Sequence, residues 1–331
     1  MRFHLSPEQV AIQDAVRGTL ADLWSLDRMH AFAEGEADTD DESWQALMAL
    51  GLGGILLPDS GMGLLDAALV CEVVGEAAAP GPLIGQLLAV AAVARSANPQ
   101  AAALLDRLVD GSIVATLALG GGQLVPCARG ADWLLTGERD GALSLVAADG
   151  VSIEAVSATD RTRPVSRVDL SGAKAVELFP AGDPFIDKLH DAALVLVAAD
   201  ALGGAQKCTD MSVDYAKQRE QFGQPIGRFQ GLKHQLAQMA LEVEPARAMV
   251  WYAAYAHDAG LPDAPRAAAM AKAHLCDAYV RTTRAAIAAH GGIGYTWDYG
   301  LNYWFRRALF DAAWLGNATQ HRARAAVLAG W

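Results

Sequence analysis

The chain has 331 residues, too many for one ordinary core, so two or three packed units are expected. Hydrophobic residues make up 53% and charged residues 19%, which excludes a disordered chain, and a formal charge of -12 excludes a surface built to coat nucleic acid. A phosphorylated small molecule stays admissible, because a few placed arginines and backbone N–H groups hold one against an unfavourable overall field.

Cys71, Cys127, Cys208 and Cys276 lie far apart with no CxxC pair, so they read as structural thiols in a reducing compartment and neither as a disulfide framework nor as a zinc site. The start, Met1 to Gln9, has no apolar signal core, and no apolar run reaches the length of a membrane span. A cytoplasmic protein without membrane or metal is expected.

In chain order, Ser6, Pro7 and Gln9 form a helix start in which hydroxyl and amide cap each other's backbone N–H groups. Helical stretches follow at Glu42 to Leu50, Leu64 to Ala78 and Leu83 to Ala94, separated by Gly51, the Pro58 to Gly63 turn and Pro80-Gly81-Pro82. From about Ser112 the pattern changes to short apolar runs: Asp132 to Thr136, Ala142 to Ala147, Val151 to Val156 and Ala173 to Phe179. Asp140-Gly141 and Asp149-Gly150 punctuate them as turns. After Pro184 long helices return, and Leu275, Ala278, Tyr279, Thr282, Ala286 and Ala289 share one helical face before Gly291 ends it. The expected organisation is α+β, with a helical domain over 1–111, a small β domain over 112–183 and a helical bundle over 184–331.

Two segments carry the chemistry. In Tyr215 to Gln230 a helix is expected to run into Arg219, break at Gly223 and Pro225, and restart near Phe229. An arginine beside such a turn is suited to fork onto a phosphate, although the same residues fit an ordinary helix break with a surface arginine. In His290 to Tyr299, glycines closing a helix let a pyrophosphate approach the backbone, and the carboxylate of Asp298 follows where it could take a proton. A glycine C-cap followed by a solvated aspartate fits as well.

Together these segments resemble the acyl-CoA dehydrogenase pattern, in which Y-x-x-x-R-x-Q-F-G-x-P-I-x-x-F-Q precedes H-G-G-x-G by several dozen residues. The resemblance extends through Ala201-Leu202-Gly203 and, more weakly, through Trp44, Leu47, Gly51, Leu57-Pro58, Gly61, Gly63, Glu72 and Gly75. It implies an N-terminal helical domain, a middle β domain and a C-terminal four-helix bundle. It also implies FAD lying across a subunit interface, its ADP half held for the neighbouring subunit by Arg219, Phe222, Gln230, Gly291 and Gly292. The family's glutamine two residues before the histidine falls at Ala288, so one side-chain contact is lost. The resemblance puts the family's catalytic base, a glutamate, at Asp298, whose carboxylate is one methylene shorter.

The family's T-E-P-x-x-G-S-D loop and K-x-W-I-T strand, which cradle the flavin ring and the thioester, are missing. Thr116 to Pro126, with Gly120-Gly121-Gly122-Gln123, and Gly137 to Ser144 stand in their places, in a chain shorter than a typical member. The resemblance therefore implies a short β-type companion subunit, like those of actinobacterial α2β2 enzymes that dehydrogenate steroid side-chain CoA thioesters. Its implied partners are an α-type subunit, an acyl-CoA substrate and electron-transfer flavoprotein or a similar acceptor. Two other readings stay open: a self-sufficient dehydrogenase using Asp298 as base with a flavin loop built from Gly120 to Gly122, and a non-catalytic scaffold.

Overall fold

The computed structural model describes residues 4–122 and 124–331. Met1, Arg2 and Phe3 of the expected leaderless start, and Gln123 of the glycine-rich segment, lie outside the described residues. The chain opens with helices α1 (Pro7–Leu23), α2 (Leu26–Glu34), α3 (Asp41–Ala49), α4 (Leu64–Ala77), α5 (Leu83–Val93), α6 (Pro99–Ala102) and α7 (Leu105–Val109). The Ser6 box caps α1 as expected, Ser6 Oγ accepting from Gln9 N at 3.2 Å and Gln9 Oε1 from Ser6 N at 3.0 Å. Helix α2 was not anticipated; its start is the Ser25 cap, whose side chain accepts from Arg28 N.

Among the described residues the strands that follow are β1 (Ala115–Leu117), β2 (Val125–Pro126), β3 (Trp133–Thr136), β4 (Leu143–Ala147), β5 (Ser152–Val156), β6 (Val165–Asp169) and β7 (Ala175–Phe179). They form a four-stranded sheet in the order β1-β3-β4-β7, with β1 parallel to β3, and a three-stranded antiparallel sheet β2-β6-β5. A small separate core, including Val125, Leu134, Val146 and Val168, is shared between the two sheets. The four apolar runs became β3, β4, β5 and β7. The sequence reading passed over β1, β2 and β6, because β1 and β2 are too short for periodicity and β6 carries the polar Ser166, Arg167 and Asp169.

The last part holds α8 (Pro184–Gln218), a two-residue hairpin of β8 (Glu220–Gln221) and β9 (Gln224–Pro225), then α9 (Gln230–Asp258), α10 (Ala264–His290), α11 (Leu301–Ala313) and α12 (Ala318–Leu328). Leu275, Ala278, Tyr279, Thr282 and Ala286 are buried as their spacing predicts. Among the described residues no helix is long and apolar enough to cross a membrane. All four cysteines are buried and unpaired, and burial pushes the Cys127 and Cys276 thiols up to about 12.

Two devices lock these layers. Helices α4 and α8 cross almost backbone to backbone: a Cβ on Gly203 would stand 1.7 Å from the Glu72 carbonyl oxygen, and one on Gly75 would stand 2.1 Å from that of Asp200. Beside this crossing lies a buried ion cluster. Arg307 grips Asp200 with two bonds, Nε to Oδ2 at 3.0 Å and Nη2 to Oδ1 at 2.6 Å, and also donates to Ala79 O and Thr162 Oγ1. Arg163, from the loop before β6, reaches Asp200 at 2.7 Å and bonds Asp311 of α11. Burial pushes the Asp200 carboxyl up, but Arg163 and Arg307 overcome it and hold the group well below the usual carboxylate range.

Both devices generate tests. Gly203→Ala must force α4 and α8 apart, a kind of overpacking that costs roughly 1–3 kcal/mol or more. Gly18→Ala adds a carbon that meets nothing within 4 Å on α1 and should stabilise by up to about 1 kcal/mol. Urea denaturation of both variants should move the midpoint in opposite directions. Arg307→Met, which leaves Asp200 buried with one cation fewer, should cost about 3–5 kcal/mol in the same measurement; a loss below 1 kcal/mol would show that water or repacking replaces the pair.

Candidate functional site

The sequence around Arg219 folds as its turn residues demand. Helix α8 ends at Gln218, Arg219 is its C-cap, and the chain reverses through Phe222 and Gly223, which stand at φ +54° and +76°. Two consecutive left-handed residues are the type I′ hairpin pattern, ordinary for glycine and strained for phenylalanine. The Arg219 backbone is pinned, its N–H donating to Tyr215 O and its carbonyl accepting from Ile226 N, both at 2.8 Å. Its guanidinium is exposed and has no hydrogen-bond or ion-pair partner among the described residues. Phe222 is 92% exposed, its ring meeting only Phe229 edge-on at 6.0 Å. Gln230, also exposed, opens α9 with its amide 3.4 Å from His234 Nε2.

The second turn is fastened to the first. His290 is buried at the end of α10, with Nδ1 2.7 Å from Ala286 O and Nε2 2.9 Å from Tyr299 Oη. A nitrogen facing a carbonyl must donate, so Nδ1 carries the proton and Nε2 accepts from the tyrosine. Burial lowers the His290 pKa and keeps the ring neutral. Tyr215, one helical turn before Arg219, stacks on this imidazole at 4.5 Å. The tyrosine and histidine of the two motifs therefore hold the turns together and do not face a ligand. Gly291 follows at φ +65°, and neither it nor Gly292 has a heavy atom within 4 Å of where a Cβ would stand. Gly291 is thus a helix C-cap, and both glycines also leave open space where a side chain would stand. An unneutralised arginine, bare glycine backbone and an exposed aromatic ring suit the pyrophosphate and adenosine half of FAD.

Asp298 lies on the exposed turn between Gly294 and α11, with no hydrogen-bond or ion-pair partner among the described residues. It does not line the cavity of about 430 Å³ between the β layer and the bundle, bordered by Leu119, Gly120 and Leu124 on one side and Ala313 to Gly316 on the other. Leu315, one of the bundle residues on its border, is held at φ +58°. Two imidazoles border the same cavity, and burial lowers both His190 and His321 to about 4, so they are neutral near pH 7. Arg139 and Arg324 beside them are bound to Asp191, at 2.7 and 2.8 Å.

Deeper, between α5, α8 and α11, only about 20 Å³ remains beside Thr116, Arg163, Asp200 and Arg307, so the ion cluster fills the interior next to that cavity. Of the cluster's four charges, Arg163, Asp200, Arg307 and Asp311, the sequence singles out none. A signal existed: Leu301, Trp304, Ala308 and Asp311 share the buried face of α11 with Arg307, and an arginine four residues from an aspartate on an apolar stripe implies buried partners.

Residues 190–327 match the family model described as Acyl-CoA dehydrogenase, C-terminal domain. The chain is 30% identical over 319 residues to acyl-CoA dehydrogenase IpdE2 of Mycolicibacterium smegmatis, covering 94% of this chain and 96% of that protein. Among solved structures, the Tcur3481-Tcur3483 steroid ACAD G363A variant superposes with a TM-score of 0.89 at 30% identity, over 98% of each chain. The ChsE4-ChsE5 complex from Mycobacterium tuberculosis superposes at 0.86 and 25% identity, over 98% of this chain and 97% of that one. With motifs, fold and full-length similarity in agreement, this chain belongs to the acyl-CoA dehydrogenase family.

Proposed function

We propose that this chain is the companion subunit of a heteromeric, FAD-dependent acyl-CoA dehydrogenase that desaturates an acyl-CoA thioester between its α and β carbons. The observation that supports it most is the outward face at Arg219: a pinned backbone, an exposed guanidinium with no partner among the described residues, and Gly291 and Gly292 with open space where a side chain would stand. The similar paired complexes Tcur3481-Tcur3483 and ChsE4-ChsE5 support a partner of α type, and the first, a steroid ACAD, supports a steroid side-chain CoA as substrate.

In this reading the bundle, 184–331, serves the partner's cofactor, and the division at 1–111 and 112–183 separates it from the helical and β parts. FAD supplies the acceptor for the hydride that leaves the substrate's β carbon. Arg219 makes charge-assisted bonds to the pyrophosphate, the Gly291 and Gly292 backbone lets it approach, Gln230 offers an amide and Phe222 an apolar cover. The partner supplies the base and the flavin-ring cradle, and electron-transfer flavoprotein or a similar acceptor reoxidises the complex. Four buried, unpaired thiols support a cytoplasmic setting.

Co-expression with an α-type dehydrogenase should yield an α2β2 complex with one FAD for every two chains; a yellow, active homotetramer of this chain alone would establish the self-sufficient enzyme instead. Within the complex, Arg219→Ala removes a charged hydrogen bond of the kind that contributes roughly 1.5–3 kcal/mol. Flavin retention measured by absorbance should therefore weaken by about tenfold to a hundredfold. Unchanged retention and turnover would favour the non-catalytic scaffold.

The exposed, unpartnered position of Asp298 leads to a separate expectation. Asp298→Ala paired with a wild-type partner should keep most of its turnover, whereas losing a working base costs on the order of a hundredfold to ten-thousandfold. A loss of that size with FAD content and assembly intact would falsify the companion role assigned to this turn and make Asp298 catalytic.

A further inference from the structure

A cavity of about 620 Å³ lies away from the flavin-facing turns, where the starts of α4 and α8 and the end of α9 meet α5. Its floor is apolar, formed by Leu56, Leu88, Ala91, Leu189 and Ala192, and its size is that of a site for a small organic molecule. Arg95 borders it, its side chain still partly open to solvent. Nη1 of Arg95 donates to Leu56 O and Ala91 O, both at 3.0 Å, which fixes the side chain but satisfies only one of its three nitrogens. Among the described residues no carboxylate bonds it, and partial desolvation pulls its pKa below the usual range; the Phe185 ring lies 5.8 Å away. A guanidinium held in place with free donors and no counter-charge at the rim of an apolar groove is suited to receive an anion.

The other charges bordering the cavity sharpen the choice of ligand. Lys188 adds a second cation with no bonded partner for its amine among the described residues. Asp258 is committed to the start of α4, accepting from Leu64 N at 2.8 Å and Leu65 N at 3.1 Å, with His257 Nδ1 3.7 Å from it. One carboxylate already present disfavours a multiply charged ligand, and the apolar floor disfavours a fully polar one. We propose that this cavity binds an amphipathic monocarboxylate, its head on Arg95 with help from Lys188 and its aliphatic body over Leu88 and Leu189.

The proposal does not depend on the flavin reading, and binding is measurable without flavin or turnover. Titration calorimetry of the full-length chain with decanoate should give one site. Decanol should bind at least tenfold more weakly and decyltrimethylammonium not at all. Arg95→Gln should weaken decanoate by tenfold or more while leaving decanol unchanged, with folding checked by circular dichroism. Because Arg95 also ties two carbonyls, exposed Lys188→Gln provides a variant with no such structural bond, and it should weaken decanoate several-fold. The proposal is overturned if decanoate does not bind, if decanol binds as tightly, or if decanoate binding is unchanged in Lys188→Gln and in a folded Arg95→Gln.

Discussion

The ion cluster of Arg163, Asp200, Arg307 and Asp311 sits where the β layer, α8 and α11 meet, and three separate stretches of chain bring its members together. Removing such charges from water is expensive, and only the full set of contacts offsets it. Arg307 has carboxylate, carbonyl and hydroxyl acceptors, while Lys272 adds bonds to the Asp311 and Gly316 carbonyls, extending the network into the turn that bears Leu315. The cluster therefore sets the position of the β layer against the bundle. It also fills this part of the interior, leaving about 20 Å³ beside it. Stability of the fold and closure of this interior follow from one arrangement of charges.

The outer turns obey a different constraint. Tyr215, His290 and Tyr299 form a half-buried polar and aromatic contact that joins α8 to the end of α10, so that Arg219 and the glycine pair keep a fixed relation although they are more than sixty residues apart in sequence. The neutral imidazole, with both nitrogens engaged, needs no solvent and tolerates its burial. Rigid backbone beneath an unneutralised side chain is what recognition of a charged ligand requires, because little further ordering is needed on binding. The strained, exposed Phe222 belongs to the same face.

Much of the architecture was readable from local rules. The Ser6 cap, the Leu64 and Leu83 helices, the break after Arg219 and the buried stripe of α10 all appear where side-chain chemistry and period predict them. Elements without a local signature were missed: β1 and β2 exist because neighbouring strands offer hydrogen bonds, and β6 alternates around a charged residue. At the site, the motif residues were all visible, but their division of labour was not. The tyrosine and histidine turned out to be fasteners, while the arginine and glycines face outward.

By itself, the sequence determined the α+β order of the chain, its family and the residue types at the two turns, since caps, glycines and apolar periodicity act over a few residues. Tertiary structure alone decided which charges are buried, which are bare and where a cavity opens. Arg307 and Arg219 are chemically the same residue, and nothing local distinguishes them. One is enclosed with Asp200, a partner 107 positions away, and holds the layers together; the other meets no carboxylate among the described residues and stays in solvent. That difference arises only when distant segments pack, because the strength of a charge depends on the water and counter-charges left around it.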